Sequence, residues 1–426
     1  MKNLKLFILL TTIMVGNITL TQENKLKENY KLKEVVVLSR HSVRAPLSAP
    51  DSVLGKITNH KWIEWSAPKS SLTLRGGVLE TIAGQYFRKW TESEGLFDSK
   101  TCPNKDEINI YANSMQRTIA TAKHFNVGFA PTCHIETYHR FEPSKMDPVF
   151  FPRLTKVTPQ FIKEATKQIN NLNGFKSLRE LTKSLKPSFN EIEKVLDIKD
   201  SKACKEDNKM CNLNDYDTKI SFKLNDEPRL TGSLKLGTII SDALILQYFE
   251  EPNDEKVTFG KKLTKEQYKK ISKVKDTYGE VLFSAPIVAI NVAHPLLVYI
   301  KDELNAKDRK FTYLVGHDSN LASVMSSLDI EEFELKNSVE TKTPIGAKLM
   351  FEKWEDKKTK KIYVAINFMY QSTEQLRNLS ILDLNNPPVI IPLKIKGLKT
   401  NKDGLYSFED VIKKFNKAIN AYENIK

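Results

Sequence analysis

The sequence predicts an α/β protein in which a central, mostly parallel sheet is flanked by helices and interrupted by an all-helical domain. Short β-branched runs alternate with helical periodicity over residues 30–152. Only helical periodicity, with dense lysine, follows over 153–282, and strand-like runs return over 283–426. Because alternating strands and helices are typical of open α/β sheets, we expect residues 30–152 and 283–426 to form one α/β domain around a helical insertion at 153–282.

The length and composition support a folded protein of more than one unit. A chain of 426 residues suggests two or three structural units, and 40% hydrophobic with 28% charged residues is a globular balance. This composition excludes a disordered chain and a multi-pass membrane protein. The formal charge of +14 is compatible with a nucleic-acid surface, an anionic ligand or solvated lysine, and by itself it does not choose between them.

The N-terminus has the pattern of a secretory signal. Lys2 and Lys5 precede a largely apolar run from Leu6 to Leu20, which is too short to span a bilayer comfortably. We expect residues 1–22 to be a signal peptide with cleavage around residues 18–23, and the alternative is a retained N-terminal anchor. Export would place the protein in an oxidising compartment.

The four cysteines are Cys102, Cys133, Cys204 and Cys211. In an exported chain an even number indicates two disulfides, most simply between near neighbours, although four cysteines allow three connectivities and the spacing does not choose between them. Four buried free thiols are the alternative. No C-x-x-C pair is present, so a zinc site is not expected.

The first α/β segment contains two predicted strand–helix units. A buried strand is predicted over 32–38, followed by a helix over 72–90 with Gly76 and Gly77 near its start. A second strand at 108–112 precedes a helix that carries Arg117 to Phe125.

Four amphipathic helices are predicted in the insertion, over 158–170, 175–185, 234–249 and 264–282. The basic stretch at 261–275 invites a nucleic-acid interpretation. Apolar residues recur within it at near-helical spacing, however, so a solvated amphipathic helix explains it better. A third strand is predicted at 310–315, and strands near 346–352 and 362–370 are expected to be antiparallel.

The first concentration of reactive residues directly follows the first predicted strand, where Arg40, His41 and Arg44 lie close together. Open α/β folds bind ligands at the carboxyl ends of strands. Each guanidinium can grip two phosphate oxygens, and a histidine among cations is biased towards the neutral, nucleophilic imidazole. The alternative for this cluster alone is an ordinary charged turn on the surface.

Two further strand ends carry related side chains. Arg117 follows the strand at 108–112, and His317 with Asp318 follows the strand at 310–315. Independent surface clusters would rarely fall at three strand ends. Together they supply what phosphoryl transfer requires, namely a nucleophile, cations for the equatorial oxygens and an acid for the leaving oxygen.

The motif Arg40-His41-x-x-Arg44-x-Pro46 with a later His317-Asp318 resembles the histidine acid phosphatases, the second branch of the histidine phosphatase superfamily. Within that family the chain looks most like the periplasmic glucose-1-phosphatase type. The similarity runs from about residue 30 to near the C-terminus. Further matching stretches lie at 62–65, 74–80, 111–118, 145–148, 315–320, 343–346 and 370–378.

The resemblance implies a phosphoglycerate-mutase-like sheet domain and a role for each matched residue. His41 would be the nucleophile that forms a phosphohistidine, and Asp318 would donate the proton to the leaving oxygen. Four side chains would bind the phosphate: Arg40, Arg44, Arg117 and His317. No cofactor or metal ion is implied, and no H-x-x-x-H or HExxH spacing indicates a metal site.

The resemblance also carries finer expectations. Glu227 matches a glutamate that reaches the substrate from the insertion, where its charge would disfavour highly phosphorylated ligands; the alternative is an exposed loop glutamate. The resemblance favours the disulfides Cys102–Cys133 and Cys204–Cys211. No cysteine follows Cys211, which leaves the anchoring of the last thirty or so residues in doubt. Ser42 stands where the wider family usually has glycine.

The sequence therefore predicts an exported, periplasmic acid phosphomonoesterase that hydrolyses sugar phosphates such as glucose 1-phosphate, with inositol phosphates left open. The alternatives are a phytase acting on inositol hexakisphosphate, a non-catalytic exported binder of phosphorylated ligands, and a metal-dependent esterase. The expected partner is a small phosphomonoester. Nucleic acid and stable membrane insertion after signal cleavage are not expected, and a homodimer is left open.

Overall fold

The computed structural model describes residues 26–48, 52–214 and 217–426, so the predicted signal peptide lies outside the described residues. Its centre is an eight-stranded mixed sheet. The ten strands of the described chain are β1 (Tyr30–Arg40), β2 (Ile108–Ala112), β3 (Thr137–Tyr138), β4 (Lys219–Ser221), β5 (Arg229–Thr231), β6 (Phe311–Gly316), β7 (Lys348–Asp356), β8 (Ile362–Tyr370), β9 (Val389–Pro392) and β10 (Tyr406–Ser407).

Helices cover both faces of the sheet and form most of the insertion. In chain order they are α1 (Val53–Lys56), α2 (Leu74–Ser93), α3 (Gln116–Phe129), α4 (Pro159–Asn170), α5 (Leu178–Ser184), α6 (Lys186–Leu196), α7 (Lys202–Glu206), α8 (Ser233–Glu250), α9 (Asp254–Val257), α10 (Lys265–Phe283), α11 (Pro286–Leu304), α12 (Asp318–Ser327), α13 (Thr373–Asn378) and α14 (Phe408–Glu423).

The strand order is β10-β8-β7-β1-β6-β2-β3, with β9 paired to β8. Strands β1, β6, β2 and β3 are parallel, whereas β7, β8, β9 and β10 pair antiparallel with their neighbours. Arg40 pairs with Gly316, and Ala112 pairs with Val315. The predicted sheet with flanking helices is confirmed, and the three parallel strands that matter for function end at one edge.

The sequence of β1 is a nearly continuous apolar run because both faces of the strand are buried. Val35 and Val37 pack with the core on the α2–α3 side of the sheet, while Val36 and Leu38 pack with the core on the α11–α14 side. Successive side chains of a strand point to opposite faces, so a strand covered on both sides needs apolar residues at every position.

The helices of the insertion pack in a hydrophobic cluster that includes Phe161, Ile271 and Val274 and continues into the flanking segments through Val43 and Val292. The helices predicted at 158–170, 175–185, 234–249 and 264–282 are all present as α4, α5, α8 and α10. A short hairpin, β4–β5, interrupts these helices. The helical periodicity did not indicate it, because strands of three residues carry too few side chains to show an alternation.

The covalent and C-terminal anchors are also defined. Cys102 is bonded to Cys133, and Cys204 to Cys211, as the near-neighbour pairing predicted. The last helix, α14, buries Phe415 in the sheet core. At its end the Tyr422 ring stacks on His294 with centroids 3.9 Å apart. The final residues are therefore anchored by packing, which answers the doubt raised by the absence of a later cysteine.

Across the described ranges, no single helix is long and apolar enough to cross a membrane. Helices α10 and α11 meet that criterion only together, as a pair bent by 81°.

Candidate functional site

The carboxyl ends of β1, β6 and β2 bring the predicted site residues into one cavity. It is lined by His41, Arg44, Arg117, Glu227, His317 and Asp318, among others, and Arg40 contacts Asp318 at its edge. A Cβ atom on Gly316, at the end of β6, would lie 2.4 Å from Asn320 Oδ1. Asn320 Oδ1 also accepts the His317 backbone N–H at 2.9 Å, so this glycine lets the strand turn at once into α12.

His41 is buried and held in one orientation. Its Nδ1 lies 2.9 Å from the carbonyl oxygen of Ser42, which can only accept a hydrogen bond. Nδ1 therefore carries the proton, and the lone pair is on Nε2. Burial, and then the charges of Arg117 and Arg44, hold the pKa of His41 well below its usual value. The result is a neutral imidazole with a free nucleophilic nitrogen.

Arg40 is fully buried and is fixed by contacts with the segment that precedes β7. Its Nη1 donates to Glu340 Oε1 at 3.0 Å and to the Thr343 carbonyl at 2.6 Å. Its Nη2 lies 3.4 Å from Asp318 Oδ2. Arg40 is thus oriented by Glu340 and presents its charge to the start of α12.

Arg44, in the segment after β1, and Arg117, on α3, line the same cavity. Arg44 Nη2 donates to Asp242 Oδ2, on α8, at 3.0 Å. Burial, and then the charge of Arg44, lower the pKa of Arg117 to about 10. The Nε atoms of Arg40, Arg44 and Arg117 are all buried without a hydrogen-bond partner within the described chain. Three such donors are costly unless an anion accepts from them.

His317 adds another donor to this cluster. Asn113 Oδ1 accepts the Asp147 N–H at 2.9 Å, so its amide nitrogen must face His317 Nε2, at 2.7 Å. Nε2 therefore accepts, and the proton of the neutral ring lies on Nδ1. Burial, and then Arg117, hold the pKa of His317 well below its usual value. Since Nδ1 lies 3.5 Å from Arg117 Nη2, two donors stand side by side, which suits one anionic oxygen.

Asp318 is the first residue of α12, and 53% of its side chain is exposed. Its Oδ1 accepts the Ser319 N–H at 2.9 Å. The surrounding protein partly desolvates the carboxyl, which raises its pKa, but the charges of Arg40, Lys275 and His317 outweigh that and lower the pKa to about 2. The free protein therefore carries a carboxylate here, in the same cavity as the two histidines, whose ring centroids are 5.5 Å apart.

Among the charged residues of the insertion that line the cavity, three act directly on the site residues: Glu227, Asp242 and Lys275. Burial, and then Asp318, raise the pKa of Glu227 to about 7. The sequence analysis identified Glu227 but missed the other two. Asp242 had a signal, because it is the one charged residue of α8 between Lys235 and Glu250. Lys275 had none, because it is one lysine among many in α10.

The cavity has a volume of about 1110 Å³. Within the part of the chain that the structure describes, no group of three or more His, Cys, Asp or Glu side chains is placed to hold a metal ion. What the cavity offers is a cluster of donors and cations around one neutral nucleophile.

A tetrahedral oxyanion can satisfy the orphaned arginine donors and His317 Nδ1 while facing His41 Nε2, and an α/β fold with such a pocket at the carboxyl edge of its sheet defines a phosphate-ester hydrolase. The family model of the histidine phosphatase superfamily (branch 2) matches residues 31–368. The chain belongs to this superfamily and is a phosphatase.

Similar proteins agree with this assignment. The chain is 40% identical over 394 residues to a glucose-1-phosphatase of Providencia rettgeri, and the matched region covers 91% of this chain and 92% of the relative. It is 37% identical over 414 residues to a glucose-1-phosphatase of Salmonella typhimurium, covering 95% and 98%. Among solved structures, the phytase from Citrobacter braakii has a TM-score of 0.82 at 27% identity, covering 92% of this chain and 98% of that chain.

Proposed function

We propose that this protein is an acid phosphomonoesterase that hydrolyses sugar monophosphates, with glucose 1-phosphate as the first candidate. The observation that carries the proposal is the fixed orientation of His41, whose Nδ1 faces the Ser42 carbonyl so that Nε2 is free. The substrate class is supported by two relatives named glucose-1-phosphatases at 40% and 37% identity.

The first chemical step forms a phosphohistidine. His41 Nε2 attacks phosphorus and forms the N–P bond as the bond to the leaving sugar oxygen breaks. The three arginines and His317 Nδ1–H stabilise the negative charge on the equatorial phosphate oxygens. Asp318 gives a proton to the leaving oxygen, so that a neutral alcohol departs.

Asp318 must be protonated for this step, although its pKa is about 2 in the free protein. The cations that depress it, Arg40 foremost, are those that a bound phosphate neutralises. A negative charge placed beside the carboxylate raises its pKa, so substrate binding itself favours the acid form. In the second step water attacks the phosphorus as the N–P bond to His41 breaks, and Asp318, now a carboxylate, takes a proton from that water. Phosphate leaves and the neutral imidazole is restored.

Glu227 provides selectivity in this proposal. It lines the cavity with Asp242, and both carboxylates stand among the cations that bind the phosphate. A carboxylate accepts hydrogen bonds from sugar hydroxyls but repels additional phosphates. This disfavours inositol hexakisphosphate, the rival substrate suggested by the structural similarity to a phytase. A non-catalytic binder would not need an oriented nucleophile paired with a separate acid.

We also propose that residues 153–282 form an insertion domain within an α/β catalytic domain at 30–152 and 283–426, and that the chain is exported to the periplasm with residues 1–22 removed. The two disulfides, Cys102–Cys133 and Cys204–Cys211, support an oxidising compartment.

A substrate panel at pH 5, with and without chelator, tests the proposal. We expect glucose 1-phosphate and an aryl phosphate to be hydrolysed well, inositol hexakisphosphate to be hydrolysed poorly, and chelator to change nothing. In the Glu227→Gln variant the rate on inositol hexakisphosphate should rise relative to glucose 1-phosphate at pH 8, where Glu227 is charged, and change little at pH 5, where its pKa of about 7 leaves it mostly protonated. Preference for inositol hexakisphosphate in the unmodified protein would replace the proposal by a phytase, and loss of activity with chelator would indicate a metal-dependent esterase.

A further inference from the structure

The cavity extends well beyond the residues that handle the phosphate. Along α12 it is lined by Asp318, Ala322 and Met325. These residues are four and then three positions apart, so they lie on one face of the helix. At 1.5 Å of rise per residue, the lined face runs for about 10 Å from Asp318. The space is therefore a groove that leads away from the reaction centre.

A second wall of the groove is α10, which lines it with Asp276, Gly279 and Phe283. A Cβ atom added to Gly279 would have no heavy atom within 4 Å. A glycine within a helix costs about 1 kcal/mol relative to alanine, and here no packing neighbour requires it. Its effect is to leave the groove wide one helical turn beyond Lys275.

The outer part of the groove is amphipathic. Phe283, Met325 and Phe333 give it apolar surface, and Asn173, whose amide donates to Glu280 Oε2 at 3.0 Å, adds a polar rim. Aromatic and aliphatic side chains pack against the C–H faces of a ring, while amides and carboxylates pair with hydroxyl groups.

The charges around the outer groove do not favour a second phosphate. Lys342 is paired with Glu280, its Nζ lying 3.0 Å from Oε1. Asp329 is paired with Lys414. The lining also holds two lysines, Lys167 and Lys396, and two acids, Glu331 and Glu332. This balance contrasts with the arginine cluster at the reaction centre and suits an uncharged group.

We propose that this outer groove, formed by Gly279, Phe283, Ala322, Met325 and Phe333, binds a second, uncharged ring of the leaving group. The enzyme then accepts phosphomonoesters with an extended neutral leaving group, such as a disaccharide 1-phosphate, as readily as a monosaccharide phosphate. This inference rests on the proposed function and extends its substrate class. The cavity of about 1110 Å³ exceeds the range of about 300–1,000 Å³ typical of pockets for drug-sized ligands.

The test compares kcat/KM for maltose 1-phosphate, glucose 1-phosphate and an aryl phosphate in three proteins. For the unmodified enzyme, the kcat/KM values for the two sugar phosphates should differ by no more than about tenfold, which is the discrimination that one extra methylene group gives in a pocket. Gly279→Phe should lower kcat/KM for maltose 1-phosphate by about tenfold or more and leave the other two substrates nearly unchanged. Gly279→Ala is the matched control, since it removes the flexible glycine without filling the groove.

A second variant, on α12, and a measurement of binding keep the test decisive. Ala322→Leu narrows the groove from α12 and should reproduce the selective loss if Gly279→Phe does not fold. Maltose 1-phosphate should also inhibit aryl phosphate hydrolysis at least as strongly as glucose 1-phosphate, whether or not it is turned over. Strong rejection of maltose 1-phosphate by the unmodified enzyme in both assays, or equal losses on all substrates in the variants, would overturn the proposal. Turnover of the aryl phosphate alone, with maltose 1-phosphate still binding more tightly, would instead contradict the proposed sugar phosphatase activity.

Discussion

Lys275 of the insertion and Glu340 of the sheet domain form a buried ion pair, with Lys275 Nζ 2.6 Å from Glu340 Oε1. The same carboxylate oxygen accepts Arg40 Nη1 at 3.0 Å, and Arg40 in turn faces Asp318. Positive and negative charges therefore alternate along a chain of contacts from the insertion to the start of α12, in the order Lys275, Glu340, Arg40 and Asp318. Because an unpaired buried charge is costly, each member depends on its neighbours for its position.

We expect Lys275→Met to lower kcat/KM by about tenfold or more, because Glu340 would draw Arg40 away from the phosphate. Loss of this cation also raises the pKa of Asp318 from about 2, which an NMR titration of its carboxyl can follow. Lys275→Arg should restore most of the activity. Lys353→Met, which breaks a buried pair with Glu34 outside the cavity, is the control and should change stability alone.

Replacing His41 by Ala should abolish turnover while the protein stays folded, since no other described group offers an oriented nucleophile in the cavity. Activity on an aryl phosphate and the thermal unfolding midpoint, measured side by side, check this. A variant that keeps substantial activity at an unchanged midpoint would exclude His41 as the nucleophile.

Ser42→Gly should keep activity within about tenfold of the unmodified enzyme. The group that orients His41 is the backbone carbonyl of Ser42, which glycine retains. Glycine also retains the backbone N–H that donates to Thr121 Oγ1 at 3.2 Å in the unmodified protein. Comparison of kcat and KM in the two proteins measures the effect. A loss of several hundredfold would show that the hydroxyl itself takes part, since general acid–base groups typically contribute about 10²–10⁴-fold.

The Asp318→Asn variant should separate substrates by their leaving groups. An activated aryl phosphate needs little protonation, so its first step should survive, whereas glucose 1-phosphate should lose about 10²–10⁴-fold. Because the second step also needs Asp318, a burst of aryl alcohol and an accumulated phosphohistidine are expected in rapid-mixing experiments. Equal losses on both substrates would contradict the proton-donor role.

The ionisation of Glu227 should make the free energy of unfolding depend on pH. Its pKa is about 7 in the folded protein, above its ordinary value, so the unfolded chain loses this proton at lower pH than the folded one. Stability from this group is therefore fully present below pH 4.5 and is lost as pH rises to about 7. Glu227→Gln should stabilise the protein by on the order of 2 kcal/mol at pH 8 and by nothing at pH 4. Denaturant unfolding at the two pH values measures the difference, and an equal effect at both would contradict the raised pKa.

Much of the fold was predictable because the strands β1, β2 and β6 are buried on both faces, and such strands must be apolar throughout. Long helices such as α8 and α10 were predictable from their periodicity. The strands β3, β9 and β10 were not, since they are two to four residues long and are fixed by their neighbours in the sheet.

The sequence by itself determined which side chains follow the strand ends: Arg40, His41, Arg44, Arg117, His317 and Asp318. Parallel strands that are neighbours in a sheet must present these ends at one edge, so local sequence suffices to group them. Only the tertiary structure decided the tautomer of His41, the Lys275–Glu340 support of Arg40 and the groove beside Gly279. The tautomer depends on how the backbone turns at Ser42. The ion pair and the groove depend on groups that are distant in sequence, and no local pattern records which of many lysines or glycines will meet the reaction centre.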